Sequence, residues 1–118
     1  MSGCRLMFWS DWGVAPRIER AHLDGTGRSS IISDHVGWPN GLCIDTTAKK
    51  IYWADARLDR IESAGLRGEN RKQLVTNLPH PFGLAVVRLR QCKLLCYAVK
   101  NTNESFGTFL TIRNFKQK

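Results

Sequence analysis

Several features that mark common functional classes are missing from this sequence of 118 residues. Its apolar runs are short, far below the roughly 20 consecutive residues that a membrane-spanning helix needs. At the N-terminus, Arg5 is followed by a brief apolar stretch that Asp11 interrupts, which does not resemble a secretory signal peptide. We therefore expect that this chain itself lacks a leader and an anchor and does not insert into a membrane.

The four cysteines, Cys4, Cys43, Cys92 and Cys96, contain no Cys-x-x-Cys pair. No histidine lies near Cys92 and Cys96 to complete a tetrahedral zinc site, so we predict neither a metal nor another cofactor. Cys43 lies in an apolar strand pattern, which is typical of a small buried side chain. Cys92 and Cys96 form either a disulfide or two free thiols.

The net charge of +8 is concentrated towards the end of the chain. Residues 87–118 contain seven Lys or Arg side chains and only Glu104 as an acid. Residues 1–86 contain 11 basic and 9 acidic side chains and are therefore close to neutral. A nucleic-acid partner needs a basic surface on the folded domain, so none is predicted.

What the sequence does contain is an internal repeat. Phe8-Trp9-Ser10-Asp11 returns 44 residues later as Tyr52-Trp53-Ala54-Asp55, and an Arg-Ile-Glu motif follows each copy. Trp38-Pro39-Asn40-Gly41-Leu42 returns 42 residues later as His80-Pro81-Phe82-Gly83-Leu84. Periods of about 40 to 45 residues, with turn signals between short β-rich runs, are typical of propeller blades. The repeat therefore predicts an all-β fold.

Residue alternation and turn signals predict about two blades, each a four-stranded antiparallel sheet. The predicted strands are 5–11, 18–23, 29–32, 41–44, 51–55, 60–64, 73–75 and 82–87. After Val87 the pattern ends, because no Tyr-Trp-x-Asp motif appears at 94–98. We therefore divide the chain into a partial β-propeller, residues 1–87, and a divergent basic tail outside the propeller, residues 88–118.

The repeat assigns structural roles to three residue types. In each copy the tryptophan and the aspartate are two residues apart, so they share one face of the strand. A carboxylate beside a large indole needs donors, and we expect backbone N–H groups of the adjoining turn to supply them. A glycine begins the strand that would line the central channel, where a side chain would block close backbone approach. The residues are Trp9, Asp11, Gly41, Trp53, Asp55 and Gly83.

Taken together, these motifs resemble the class B (YWTD) repeats of the low-density-lipoprotein receptor family. The resemblance covers about residues 5–87. It implies a fragment of a six-bladed propeller, belonging to a single-pass receptor at the cell surface. It further implies a non-catalytic module that binds extracellular protein ligands, for endocytosis or for Wnt-type co-receptor signalling. Neighbouring propeller blades or epidermal-growth-factor-like modules are the other implied partners.

The resemblance also implies where ligands bind, since the loops after strand two and before strand one form the usual ligand surface of such propellers. The matching candidates here are Trp12, Trp38, Asp59 and His80. For Trp12 and Trp38 the alternative is packing between blades, and for His80 it is an ordinary loop histidine. Separately, Asn103 begins a formal acceptor triplet for N-glycosylation.

Two other functions stay open. Matrix proteins of the nidogen type carry similar repeats. Some six-bladed propellers are calcium-dependent hydrolases, for which Asn40 and Asp45 are the candidates in this chain. That site would require further acids from other blades, so we do not predict an enzyme.

Overall fold

The computed structural model describes residues 5–78, 81–88, 93–99 and 108–113. These residues form ten strands and no helix. The strands are β1 (Leu6–Asp11), β2 (Arg17–His22), β3 (Ser29–Ile32), β4 (Pro39–Asp45), β5 (Lys50–Asp55), β6 (Arg60–Gly65), β7 (Lys72–Val75), β8 (Pro81–Arg88), β9 (Lys93–Val99) and β10 (Thr108–Arg113).

The strands pair into three antiparallel sheets, which we call the first, middle and third sheets. The first has the order β1-β2-β3, the middle β4-β5-β6-β7, and the third β10-β9-β8. The middle sheet is the complete four-stranded blade that the repeat predicts. The predicted all-β fold is confirmed, and the eight predicted strands lie within two residues of β1 to β8.

Side chains on β5 alternate between the two faces of the middle sheet, and another sheet covers each face. Trp53 and Ile51 pack against Ile18 of the first sheet. Tyr52 and its neighbours on the opposite face form a second cluster, into which Leu84 of β8 packs. Trp53 and Tyr52 are both fully buried. Large aromatic side chains dominate the energetics of such cores, so the adjacent Tyr52 and Trp53 join the three sheets into one stack.

Two further strands follow residue 88 among the described residues. β9 pairs with β8 along its length, and β10 pairs with β9, so both continue the third sheet. The run Leu94 to Val99 is apolar and contains residues that favour strands, which explains why it pairs without a repeat motif. The division of the chain at residue 87, with residues 88–118 as a divergent tail outside the propeller, stays a prediction.

Two glycines with positive φ close equivalent turns after β2 and β6. Gly25 has a φ of 88° and Gly68 a φ of 84°, in a region that only glycine adopts at no steric cost. Asp24 supports the first turn by accepting hydrogen bonds from Thr26. In the second turn, where Arg67 takes the place of that aspartate, Glu69 accepts the Arg67 N–H instead. The two turns keep one shape through different side chains.

Candidate functional site

Asp55, at the end of β5, joins two loops through its carboxylate. Its Oδ1 accepts hydrogen bonds of 3.0 Å from the N–H groups of Trp38, Arg57 and Leu58. Its Oδ2 accepts a hydrogen bond of 2.7 Å from the N–H of Gly37. The carboxylate is fully buried, so these four donors replace the water that an exposed aspartate would bind. The turn before β4 is thereby tied to the turn after β5.

Further contacts fix the same two loops. The Ala56 N–H donates to the Trp38 carbonyl oxygen at 2.9 Å, and the Leu78 N–H donates to the Asp59 carbonyl oxygen at 2.8 Å. Gly37 lies so close to the Arg57 side chain that an added Cβ would approach it to 2.8 Å. Loops held by this many backbone contacts offer a preorganised surface, which lowers the entropy cost of binding a partner.

Exposed apolar side chains are concentrated in the loops that this end of the sheets presents. Trp12 is 56% exposed and Val14 fully exposed after β1, while Trp38 is 42% exposed before β4. Leu58 is exposed in the loop after β5. Only two other large apolar side chains, Met7 and Leu23, are exposed among the described residues whose side chains are placed. Aromatic and aliphatic side chains gathered in this way are typical of protein-binding surfaces.

Beside Trp53 lies an Arg-Glu-Arg cluster, in which Glu62 is buried and the two arginines are partly buried. Glu62 accepts hydrogen bonds from Arg60 at 2.9 Å and from Arg71 at 2.8 and 3.0 Å. The hydrogen bond with Glu62 raises the pKa of Arg71 further above its ordinary value. Arg71 also stacks on the Trp53 ring, with its guanidinium carbon 5.4 Å from the ring centroid. The stacked guanidinium, held by its ion pair with Glu62, stabilises the packing of Trp53.

The cluster also holds the segment that precedes β4. Arg71 donates to the carbonyl oxygen of Asp34 at 2.7 Å and to that of His35 at 2.6 Å. Arg60 donates to the same His35 oxygen at 2.9 Å. A cavity of about 570 Å³ opens beside these groups. The cavity is lined in part by Asp34 and His35, which lie in the segment that connects the first sheet to the middle sheet.

The first repeat reproduces this cluster in a more open form. Arg28 pairs with both oxygens of Glu19 at 3.0 Å and lies 5.5 Å from the centroid of the Trp9 ring. The hydrogen bond from Arg28 lowers the pKa of Glu19, and the nearby charge of Arg17 adds to the effect. The Arg28 side chain is nevertheless 60% exposed. Asp11 is also open, since its carboxylate accepts only the Gly13 N–H at 3.0 Å among the hydrogen bonds found in the described residues.

The structure brings some of the predicted site residues together and leaves others apart. Trp38 and Asp59 lie in the two loops that surround Asp55, whereas Trp12 follows Asp11 in the first sheet. Gly41 is buried in β4, and Gly83 is partly buried at the corresponding place in β8. His80 and Asn103 lie outside the described residues.

The arginine and glutamate clusters are not among the residues predicted from the sequence. The partner of each Arg-Ile-Glu motif is an arginine nine residues after the glutamate. The signal was present, because Arg28 and Arg71 are 43 residues apart, as are the two glutamates. An arginine and a glutamate that recur at the same spacing in both repeats indicate an ion pair with a structural role in each blade.

Asn40 and Asp45, the candidates for a calcium-dependent hydrolase, lie near opposite ends of β4. Asp45 accepts the N–H groups of Thr47 and Ala48 and so supports the turn after β4. In the described ranges, no three His, Cys, Asp or Glu side chains are grouped so that they could hold a metal ion. Nor does any helix there have the length and hydropathy of a membrane span.

The family model for the low-density lipoprotein receptor repeat class B matches residues 5–46 and 49–86. The two matches correspond to the two copies of the repeat, and the second ends one residue before the predicted boundary.

Three curated relatives are similar over the same region. Vitellogenin receptor Yl of Drosophila melanogaster is 43% identical over 82 residues, which are 69% of this chain and 4% of the relative. Low-density lipoprotein receptor-related protein 5-like protein of Homo sapiens is 41% identical over 78 residues, which are 65% of this chain and 31% of the relative. Sortilin-related receptor of Mus musculus is 42% identical over 78 residues, which are 65% of this chain and 3% of the relative. The chain thus spans less than a third of each relative.

Among solved structures, a chain in the crystal structure of a nidogen/laminin complex is similar, with a TM-score of 0.73 and 33% sequence identity. The similarity covers 80% of this chain and 36% of that one. It extends beyond the share matched in each of the three relatives, and it agrees with the stack of antiparallel sheets described above.

Proposed function

This chain belongs to the family of low-density lipoprotein receptor class B repeats, and we propose that it is a protein-binding module of a receptor-related protein at the cell surface. Its partners in this proposal are extracellular proteins, bound for endocytosis or for co-receptor signalling of the Wnt type. The module is a part of a longer propeller. It performs no chemistry of its own.

One observation carries the proposal: exposed apolar side chains lie on loops that buried hydrogen bonds hold rigid. Trp38 and Leu58 present their side chains to solvent, while their own N–H groups are bound to the buried Asp55 carboxylate. A rigid aromatic anchor loses little entropy on binding, which is the property of the residues that dominate protein interfaces. Asp59 and Trp12 belong to the proposed surface by their places in the corresponding loops.

The names of the relatives agree with this reading. Two are named as receptors and the third as receptor-related, and the similar solved structure comes from a complex between two proteins. That last similarity also supports the second candidate, a module of an extracellular matrix protein. The two candidates differ in how the whole protein is attached, and they share the same binding loops.

We propose no catalytic activity because four carboxylates of this chain have structural roles. Asp45 and Asp55 accept backbone N–H groups, and Glu19 and Glu62 are paired with arginines. A general acid or base must reach a substrate, and a nucleophile must be free to attack. These four carboxylates are already engaged in holding turns and sheets.

The proposal is tested by binding of purified laminin and vitellogenin to the immobilised full chain, measured by surface plasmon resonance. The loop variant carries Trp38→Ser and Leu58→Ser. A matched control variant carries Met7→Ser and Leu23→Ser, which also remove exposed apolar side chains but away from these loops. We expect at least one of the two proteins to bind, and the loop variant to weaken binding at least about tenfold.

Circular dichroism of both variants shows whether the fold is retained. The proposal fails if neither protein binds the original chain. It also fails if the loop variant and the control variant, both folded, bind equally well.

A further inference from the structure

The end of the middle sheet that lies away from Asp55 concentrates positive charge. The loop between β4 and β5 and the loop between β6 and β7 lie side by side there, since Lys50 pairs with both Asp45 and Gly65. Residues 1–86 are close to neutral as a whole, but exposed or half-buried cations gather near these two loops. Besides Arg71 of the cluster described above, they are Arg20, Lys49, Lys50, Arg67 and Lys72, which we call the basic face.

The acidic side chains at this end of the middle sheet are turned towards the backbone. Asp45 is buried and accepts two N–H groups of its own turn. Glu69 lies over Gly65, where an added Cβ would collide with its carboxylate, and it accepts the Arg67 N–H at 2.9 Å. Its backbone hydrogen bonds lower the pKa of Glu69, and the charges of Arg67 and Arg20 add to the effect. These carboxylates therefore support the turns.

The cations, by contrast, extend towards solvent across the ends of the strands. Lys49, Arg67 and Lys72 are exposed. Lys49 has a φ of 55°, which glycine or asparagine adopts at lower cost, so the turn itself does not require a lysine. Two strand spacings and an offset of two residues place the α carbons of Lys50 and Lys72 about 12 Å apart. The basic face is therefore broad enough for several anionic groups.

The loop that carries Arg67 is held in place. The Gly65 N–H donates to the Glu69 carbonyl oxygen at 2.8 Å, and the Gly68 N–H donates to the Gly65 carbonyl oxygen at 2.9 Å. From the first sheet, Arg20 donates to the Leu66 carbonyl oxygen at 3.0 Å. Charges fixed on a preorganised loop lose little entropy when a ligand binds them.

This end of the middle sheet has the charge for a polyanion without the apolar side chains for a lipid surface. The large apolar side chains that are exposed in the described residues lie in the first sheet and in the loops near Asp55. Stable attachment to a membrane surface combines positive charge with apolar side chains that enter the lipid. A polymer that remains in water needs only the charge.

We propose that the basic face binds a sulfated polysaccharide of the glycosaminoglycan class. Sulfate groups are anionic at every physiological pH and recur along such a polymer, so one chain can contact several cations of the basic face at once. Contacts that are weak one by one add up when they belong to one polymer. The inference rests on the extracellular placement in the proposed function, because these polysaccharides lie at the cell surface and in the matrix.

The probe is heparin, immobilised for surface plasmon resonance, with the full chain in solution. The face variant carries Lys49→Glu and Arg67→Glu. The matched control, the tail variant, carries Lys116→Glu and Lys118→Glu, which change the net charge by the same amount within the other basic part of the sequence. We expect saturable binding that the face variant weakens at least about tenfold and the tail variant less than about twofold.

A second variant, with Lys49→Gln and Arg67→Gln, removes the same two charges without adding acids. It should weaken binding at least about threefold, and circular dichroism shows whether each variant keeps its fold. Binding should weaken as the salt concentration is raised, since exposed charges are screened. Hyaluronan, which has carboxylates and no sulfates, and vesicles containing phosphatidylserine serve as competitors, and neither should displace the chain from heparin.

The proposal is overturned if heparin does not bind, or if the folded face and tail variants bind it equally well. Displacement by hyaluronan or by the vesicles also overturns it, in favour of a general polyanion surface or a membrane surface. The loop variant with Trp38→Ser and Leu58→Ser lies at the opposite end of the sheet and should bind heparin normally. The face variant should keep the binding of laminin or vitellogenin, so the two proposals fail separately.

Discussion

Replacing Asp55 by asparagine is the change to which this fold should be most sensitive. Asparagine has nearly the same shape and keeps Oδ1, which accepts three N–H groups in the native chain. It places an NH₂ group where Oδ2 accepts the N–H of Gly37. Two donors then face each other in a fully buried place, and the three remaining hydrogen bonds lose their anionic acceptor.

The expected cost follows from these four contacts. A buried donor without a partner costs about 1–3 kcal/mol, and a hydrogen bond to a neutral acceptor is weaker by about 1 kcal/mol than one to a charged acceptor. The free energy of unfolding should therefore fall by roughly 4–6 kcal/mol. A domain is stable by only about 5–15 kcal/mol, so the variant should be close to unfolded at room temperature.

Asp11→Asn is the matched control, since the same motif is open there. Its one hydrogen bond, from Gly13 to Oδ1, survives the change. We expect a cost below about 0.5 kcal/mol, as for other surface substitutions. Urea unfolding of the full chain, followed by circular dichroism and tryptophan fluorescence, measures both values. Equal effects of the two substitutions would refute the role given to the buried carboxylate.

Two further predictions concern charge and backbone. Because its pKa is lowered in the folded state, Glu19 should stabilise the fold above its usual value of 4.5 and lose that contribution as the pH falls further. The urea concentration at the midpoint of unfolding should stay constant from pH 8 to 5 and fall below pH 5. In Arg28→Met it should fall less steeply with pH, and an equal slope in the variant would argue against the pairing of Arg28 with Glu19. Gly68→Ala should cost about 2–4 kcal/mol, because φ is +84° and the new Cβ would meet the Ile31 carbonyl oxygen. Gly25→Ala, at φ +88° with nothing near, should cost about 1 kcal/mol, and equal thermal midpoints would refute the clash.

Strand positions and the family could be predicted because both depend on local patterns. Alternation along β5 places Trp53 on one face and Tyr52 on the other, and the structure packs them against different sheets. The donors on Asp55 were only partly foreseeable. The turn after β5 is adjacent in sequence, whereas Gly37 is 18 residues away. A hydrogen bond between residues so far apart depends on which strands are neighbours in the sheet, and the sequence of a single motif does not contain that information.

The third sheet shows that a strand can pair at this position without the Tyr-Trp-x-Asp motif. In the register of β8 with β9, Tyr97 and Ala98 take the places that Trp53 and Ala54 have opposite β4, and Val99 takes the place of Asp55. Pairing needs only β-forming residues and a partner edge, which β9 supplies. The carboxylate has a different task, since in the middle sheet it ties the turns at the strand ends. A boundary drawn from the aspartate motif therefore marks only where that motif ends, and the sheet continues beyond it with β9 and β10.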